Sequence, residues 1–267
     1  MSTTPAETAE LGRFSDVDAS GEAAELVAFL ERVEQLHPIP ELRERSYQDL
    51  KVRPGRRVVD VGCGAGVAVA ELAAHGAEVT GVDPSENMVA MAKSRFPDLD
   101  YQVAGAASLP FAANSLDGYR AERVYQHLSD PQQALDEAKR VLKPGARLAI
   151  VDLDGDGWII DAADKEITRA LLRAFADTIA NPWIGRQLRG LLLDNGFTDV
   201  TVDAAPCIYT EYADAASVVE SITRAGVASK AVTQEQADTW LAEQQERSRT
   251  GRFFVQGPLF LAAGTHQ

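Results

Sequence analysis

An α/β fold, a mostly parallel sheet with helices on both faces, is what this 267-residue sequence predicts, and three observations predict it. Short β-branched runs alternate with helix-period segments in units of about 25 to 35 residues, and parallel strands need crossovers of that kind. An apolar strand at residues 56–61 runs directly into closely spaced glycines that open a helix. Hydrophobic residues make up 45% of the chain, enough to core one principal domain with additions.

Residues 1–20, rich in Ser, Thr, Ala and acidic side chains without a sustained period, read as a loose arm. Ala24, Leu26, Val27, Leu30 and Val33 then recur at helical spacing, and His37-Pro38-Ile39-Pro40 stops that helix because proline has no amide to donate. A second helix is expected at 42–50. The strand at 56–61 is followed by an Ala-rich helix at 67–75 ended by Gly76, and by a strand at 78–82. Ser85 caps a helix running to Arg95 and closed by Pro97. Strands follow at 101–103 and 116–121. Asp130-Pro131 then caps and opens a helix to Leu142, and Lys143-Pro144-Gly145 turns tightly into a fifth strand at 147–153. Beyond it the rhythm changes: helices at 162–180 and 184–195, a strand at 200–202, helical sequence over 213–249 and a last strand at 253–261. Helical insertions of this kind would cover a ligand at the carboxyl ends of the strands.

Forty acidic against 26 basic residues leave a net charge of -14, which repels a phosphate backbone and disfavours a nucleic-acid partner. The two cysteines, Cys63 and Cys207, have no CxxC or Cys/His spacing, so no disulfide framework and no metal site is expected, and a reducing cytoplasm fits. The first ten residues lack the basic and apolar blocks of a leader. No apolar run approaches the roughly 20 residues of a membrane span, so no membrane association is expected.

The segment Val58-Val59-Asp60-Val61-Gly62-Cys63-Gly64-Ala65-Gly66 is the strongest signal. Glycine admits close ligand approach, and a helix N-terminus offers free amides. A dinucleotide loop wants Gly-x-Gly-x-x-Gly, yet Val67 stands three residues after Gly64 and an acidic residue, Asp60, precedes the glycines. The order Asp-x-Gly-x-Gly-x-Gly instead resembles motif I of the class I, Rossmann-like S-adenosylmethionine-dependent methyltransferases, of the small-molecule branch. The resemblance continues through the Asp83 strand end, the Leu109-Pro110-Phe111 loop, Arg123-Val124-Tyr125-Gln126-His127-Leu128, and Leu142 to Leu148.

That resemblance implies a seven-stranded, mostly parallel sheet whose final strand is antiparallel, with helical cap insertions. It divides the chain into an arm with helices (1–50), an S-adenosylmethionine-binding core (51–155), and the remainder of the core with the substrate cap (156–267). It places the cofactor, whose product is S-adenosylhomocysteine, on Gly62, Cys63, Gly64 and Gly66. Asp60 meets the cofactor's amino group or fixes the loop through backbone amides. Asp83, followed by Pro84, accepts from the ribose hydroxyls or merely begins a turn before the next helix. Family members often carry Gly-Asp-Ala before the Leu-Pro-Phe loop; here Gly105 is followed by Ala106, Ala107 and Ser108, leaving the adenine to their backbone, the Ser108 hydroxyl and packing on Met88. Glu122 and Arg123 wall the methionine end, and Arg45 and Tyr47 close over it or lie on an exposed helix face.

Displacement of a methyl group from a sulfonium needs alignment above all, and a base helps if the acceptor is a hydroxyl. His127 is the candidate base, its alternative a structural hydrogen bond in a helix's first turn. His37, His75 and His266 read as structural or tail residues. Trp158, Trp183, Tyr209 and Phe254 are candidates for substrate contact, with core packing as the alternative. Asn181-Pro182-Trp183 resembles the Asn-Pro-Pro-aromatic motif of enzymes that methylate nucleic-acid amines. That motif belongs at the end of the fourth strand, where this chain has Arg120-Ala121-Glu122, so Asn181 is read as a helix cap. The expected function is O-methylation of a bacterial secondary metabolite by a monomer or homodimer. The alternative is a cyclase or non-transferring binding protein on the same fold.

Overall fold

The computed structural model describes residues 38–267; the arm at 1–20 and the helix expected at 22–33 lie outside the described residues. The order is α1 (Ile39–Asp49), β1 (Arg57–Val61), α2 (Val67–Ala74), β2 (Glu78–Asp83), α3 (Glu86–Arg95), β3 (Asp100–Val103) and β4 (Leu116–Glu122). A 3-10 turn (Tyr125–His127), α4 (Pro131–Val141), β5 (Leu142–Leu153) and β6 (Ile159–Ile160) follow. The chain then forms α5 (Lys165–Ala176), α6 (Ile184–Asp194), β7 (Thr198–Tyr209), α7 (Tyr212–Ala228), α8 (Gln234–Arg249) and β8 (Val255–Thr265).

Strands β3, β2, β1, β4 and β5 lie side by side and parallel, β8 pairs antiparallel with β5, and β7 occupies the other edge of β8. Alternate residues of the central strands enter different cores, the pattern of a sheet buried on both faces. Val58, Ala149 and Val151 pack with α1, α2, α3, α5 and α7, whereas Val59, Val61, Leu148 and Ile150 pack with α4 and α6. Asp60 of β1 and Arg120 of β4 are register partners, so two charged residues stand side by side in the middle of the sheet.

The structure departs from the sequence-based expectation in four places. Among the described residues eight strands are present where seven were expected, because the two-residue β6 pairs with β8 at Gln256 and Val255, beyond the reach of β5. The strand expected at 200–202 extends over 12 residues, since β7 follows β8 along almost its whole length despite Pro206. The Lys143-Pro144-Gly145 turn is an excursion within β5, where the pairing jumps from Leu116–Leu142 to Gly118–Arg147. The helical stretch at 213–249 is two helices, the second opened by a Thr233–Gln236 capping box.

Candidate active site

The turn after β1 is shaped by its glycines. Gly62 has φ +68°, and a Cβ there would lie 2.3 Å from Cγ2 of Val124, so only glycine lets the segment after β4 cross the loop. Gly66 caps α2 in the left-handed region with no side-chain hydrogen bond to the helix amides. At the end of β2, the Asp83 carboxylate accepts from Gly64 N at 3.0 Å and from Ser85 N at 2.9 Å, which fixes it beside the glycine turn.

Beneath this turn lies a buried charge network. Arg120 donates to Asp60 Oδ1 at 2.8 Å and to Ser46 Oγ at 2.8 Å, and also pairs with Glu122. Arg43 of α1 reaches Glu122 at 3.3 Å and Glu71 at 3.6 Å, and the Tyr47 hydroxyl donates to Glu71 at 2.7 Å. Burial drives the Asp60 carboxyl above its ordinary range even with Arg120 alongside. Burial pushes Glu122 the same way, but Arg120, Arg43 and Arg123 together outweigh that and hold it down at about 2. The network docks α1 onto the sheet edge of the site.

After β4 the chain turns sharply. Arg123 has φ +57°, unusual for a residue with a side chain, and is pinned by its amide to Val151 O at 2.7 Å. The following turn is clamped from two sides. The carboxylate of Asp152 on β5 accepts from Gln126 N at 3.2 Å and Leu153 N at 2.9 Å, and burial pushes its pKa up to about 7. Asn181 donates its side-chain amide to the carbonyls of Tyr125 (3.1 Å) and Leu128, and its backbone N–H to Gln126 O at 3.0 Å. His127 is carried on this clamped turn, and burial together with the Arg123 charge lowers its pKa to about 4.

A cavity of about 380 Å³ opens at the carboxyl ends of the strands. With this geometry in view, comparison with known proteins is informative: residues 59–150 match the family described as methyltransferase domain. Residues 59–150 therefore resemble a methyltransferase domain by family. An uncharacterized 37.1 kDa protein in transposon TN4556 of Streptomyces fradiae is 39% identical over 192 residues, 67% of this chain and 55% of that protein. The O-methyltransferase resE of Aspergillus sclerotiorum is 34% identical over 172 residues, 59% of this chain and 62% of that enzyme. The chain therefore spans somewhat over half the length of these curated relatives. The crystal structure of YcgJ from Bacillus subtilis shares the fold, with a TM-score of 0.61 at 21% identity, covering 85% of this chain and 99% of that one.

The cavity is lined by Asp60, Gly62, Cys63, Gly64, Asp83, Pro84, Met88, Glu122, Arg123 and His127, and by Trp158 and Tyr209. Several expected residues lie outside its lining. Gly66 sits behind the turn against Tyr101. Ala106 is buried in the core on the α4 and α6 face, and Ala107 and Ser108 are exposed. Arg45 is exposed and pairs with Asp203 of β7, while Tyr47 is drawn under Arg120, whose guanidinium stacks on its ring at 5.3 Å. The α1 residues that line the cavity are instead Ile39 and Arg43. Trp183 is 49% exposed and bonded to Asp156 at 3.2 Å, and Phe254 faces the surface.

Sequence reading missed Arg43, Arg120 and Gln126, all in the lining. Arg120 left a trace: a basic residue within a strand run, two residues before an acidic one. Asn181, read as a helix cap, is instead the clamp on the His127 turn, and the α6 cap position falls to Trp183. Among the described residues no group of three or more His, Cys, Asp or Glu side chains could hold a metal ion, and no helix is long and apolar enough to cross a membrane.

Proposed function

We propose that the chain transfers the methyl group of S-adenosylmethionine to an oxygen atom of a small, largely apolar molecule, with secondary metabolites as the substrate class. One observation carries this reading: a single cavity is lined both by the glycine turn with Asp83 and by a largely apolar wall of Leu153, Trp158, Tyr209, Val218 and Leu259, and His127 lines it too. A cofactor and an acceptor bound in one such space can be aligned, and alignment alone can remove about 7 to 11 kcal/mol from a two-molecule barrier. The relative resE is named an O-methyltransferase, which supports oxygen as the acceptor atom.

The residues fit the cofactor. Gly62 and Gly64 leave room for it, the bare α2 N-terminus offers amides, Asp83 has oxygens positioned for ribose hydroxyls, and Met88 is an apolar wall for a base. Asp60, held by Arg120, faces the same space. When bound, the cofactor supplies a methyl group already activated on a sulfonium, so this chain's residues have only to orient, exclude water and manage a proton. His127 lines the same cavity and is uncharged at neutral pH, but with its pKa lowered to about 4 it is a weak base, suited to an acceptor that is itself acidic. In this reading residues 51–155 hold the cofactor and residues 156–267 provide the cover. The net charge of -14 argues for a small-molecule partner over nucleic acid. The protein works in the cytoplasm as a monomer or homodimer.

The test is to incubate the protein with S-adenosylmethionine and a panel of phenols, enols and hydroxyquinones, and to quantify S-adenosylhomocysteine and methylated product together. Equimolar formation supports the reading; turnover of an acceptor without S-adenosylhomocysteine release would instead identify a cyclase or binding protein on this fold.

A further inference from the structure

Resting on the methyl-transfer reading, we propose that Arg123 holds the acceptor oxygen as an anion, so that the substrates are acidic hydroxyl compounds, phenols and enols, rather than aliphatic alcohols. Three guanidinium groups line the cavity, and two of them are committed: Arg120 to Asp60 and Glu122, Arg43 to Glu122 and Glu71. Among the described residues Arg123 has one distant carboxylate contact, 3.6 Å to Glu122 Oε1, and its buried Nε has no hydrogen-bond partner.

Its backbone conformation points the same way. A left-handed φ on a residue with a full side chain persists only where the surroundings impose it, and such positions cluster at functional sites. Here the Val151 carbonyl and the crossing of Val124 over Gly62 impose it. The charge is then felt on the cap side of the cavity, by His127 of the 3-10 turn and by Cys207 and Tyr209 of β7, and also by Asp152 of β5. The other ionisable group on that side is Asp214 of α7, exposed at the rim. Leu128, Leu153, Trp158 and Leu259 keep the surroundings apolar, which strengthens a cation's hold on a nearby anion.

The division of labour follows. A phenol or enol gives its proton to solvent on binding, and its oxyanion is stabilised by the Arg123 guanidinium. The oxygen lone pair forms the new O–C bond as the C–S bond breaks, and that electron pair leaves on sulfur. An aliphatic alcohol, a far weaker acid, would stay protonated beside Arg123, and His127, whose buried imidazole binds protons weakly, would not relieve it.

The experiment uses the full chain saturated with S-adenosylhomocysteine and the chromogenic probe 4-nitrophenol, whose phenolate is read by absorbance across pH. The apparent pKa of the bound phenol is expected to fall by about one to three units relative to free phenol. Arg123→Lys should retain part of that shift and Arg123→Gln should abolish it. With saturating acceptor, kcat should fall in Arg123→Gln by about tenfold or more, with S-adenosylhomocysteine affinity within about twofold of the original. A bound phenol with its solution pKa, an equal shift in Arg123→Gln, or failure of 4-nitrophenol to bind the loaded protein would overturn the assignment. Calorimetry of S-adenosylhomocysteine alone separates the two levels: if it does not bind, the methyl-transfer reading fails; if it binds and the phenolate is not favoured, only the role of Arg123 fails.

Discussion

Arg120 is 1% exposed, its partner Asp60 is 2% exposed, and replacing the guanidinium with Met would leave that carboxylate buried without its cation. Glu122 would keep Arg43 and the more distant Arg123, and Ser46 would lose its donor. Removing one member of a buried ion pair typically costs about 3 to 5 kcal/mol, because the remaining charge is uncompensated. For a chain of this size that corresponds to roughly 5 to 9 °C in Tm. The pH dependence has a definite sign. Glu122 has a depressed pKa in the folded state, about 2, so its contribution is present above the ordinary carboxylate range and is lost as pH falls through the folded value. Asp60 is already raised by burial and rises further without Arg120. Both changes make the cost of Arg120→Met largest at pH 7 and smaller near pH 4.5. Urea unfolding of both proteins at the two pH values measures it, with Arg120→Met/Asp60→Asn/Glu122→Gln as the neutral counterpart expected to recover part of the loss. A cost below about 1 kcal/mol at pH 7, the value of an exposed pair, would refute the reasoning.

Other consequences are open to simpler tests. Gly62→Ala puts a Cβ 2.3 Å from Val124 at φ +68°, and should cost about 1 to 3 kcal/mol by chemical unfolding and weaken cofactor binding. Asn181→Ala removes the side-chain bonds to Tyr125 and Leu128, so kcat should fall by about tenfold or more while S-adenosylmethionine affinity stays within about twofold; the opposite split would contradict the clamp. His127 has a folded pKa lowered to about 4, so the folded state loses stability as pH falls below the ordinary imidazole value, and the loss saturates below about 4; His127→Gln should flatten the stability profile between those limits, and an unchanged profile would count against the burial-driven shift.

The strands of the parallel sheet were legible because strands buried on both faces read as apolar runs, as in Val58-Val59 and Leu148 to Val151. The glycine turn was legible because glycine spacing reflects a steric demand that no other residue meets, here the approach of Val124. What escaped was long-range. β6 is two residues long and exists only because β8 runs past the end of β5. β7 reads as a broken, polar segment because one edge is exposed, and its length is set by β8. The roles of Arg43 and Asn181 depend on partners 79 and about 55 residues away, Glu122 and the 125–128 turn, and nothing local to α1 or to the α5–α6 junction distinguishes them from Arg45 or an ordinary cap.

The central claim, that this cavity binds S-adenosylmethionine and carries methyl transfer, is tested most directly by calorimetric titration of the purified protein with S-adenosylmethionine and S-adenosylhomocysteine, alongside Asp83→Ala and with NADH as competitor. Micromolar binding of both sulfur ligands, weakened about tenfold or more by Asp83→Ala and untouched by NADH, is the predicted result. No binding, or a preference for NADH, would contradict it.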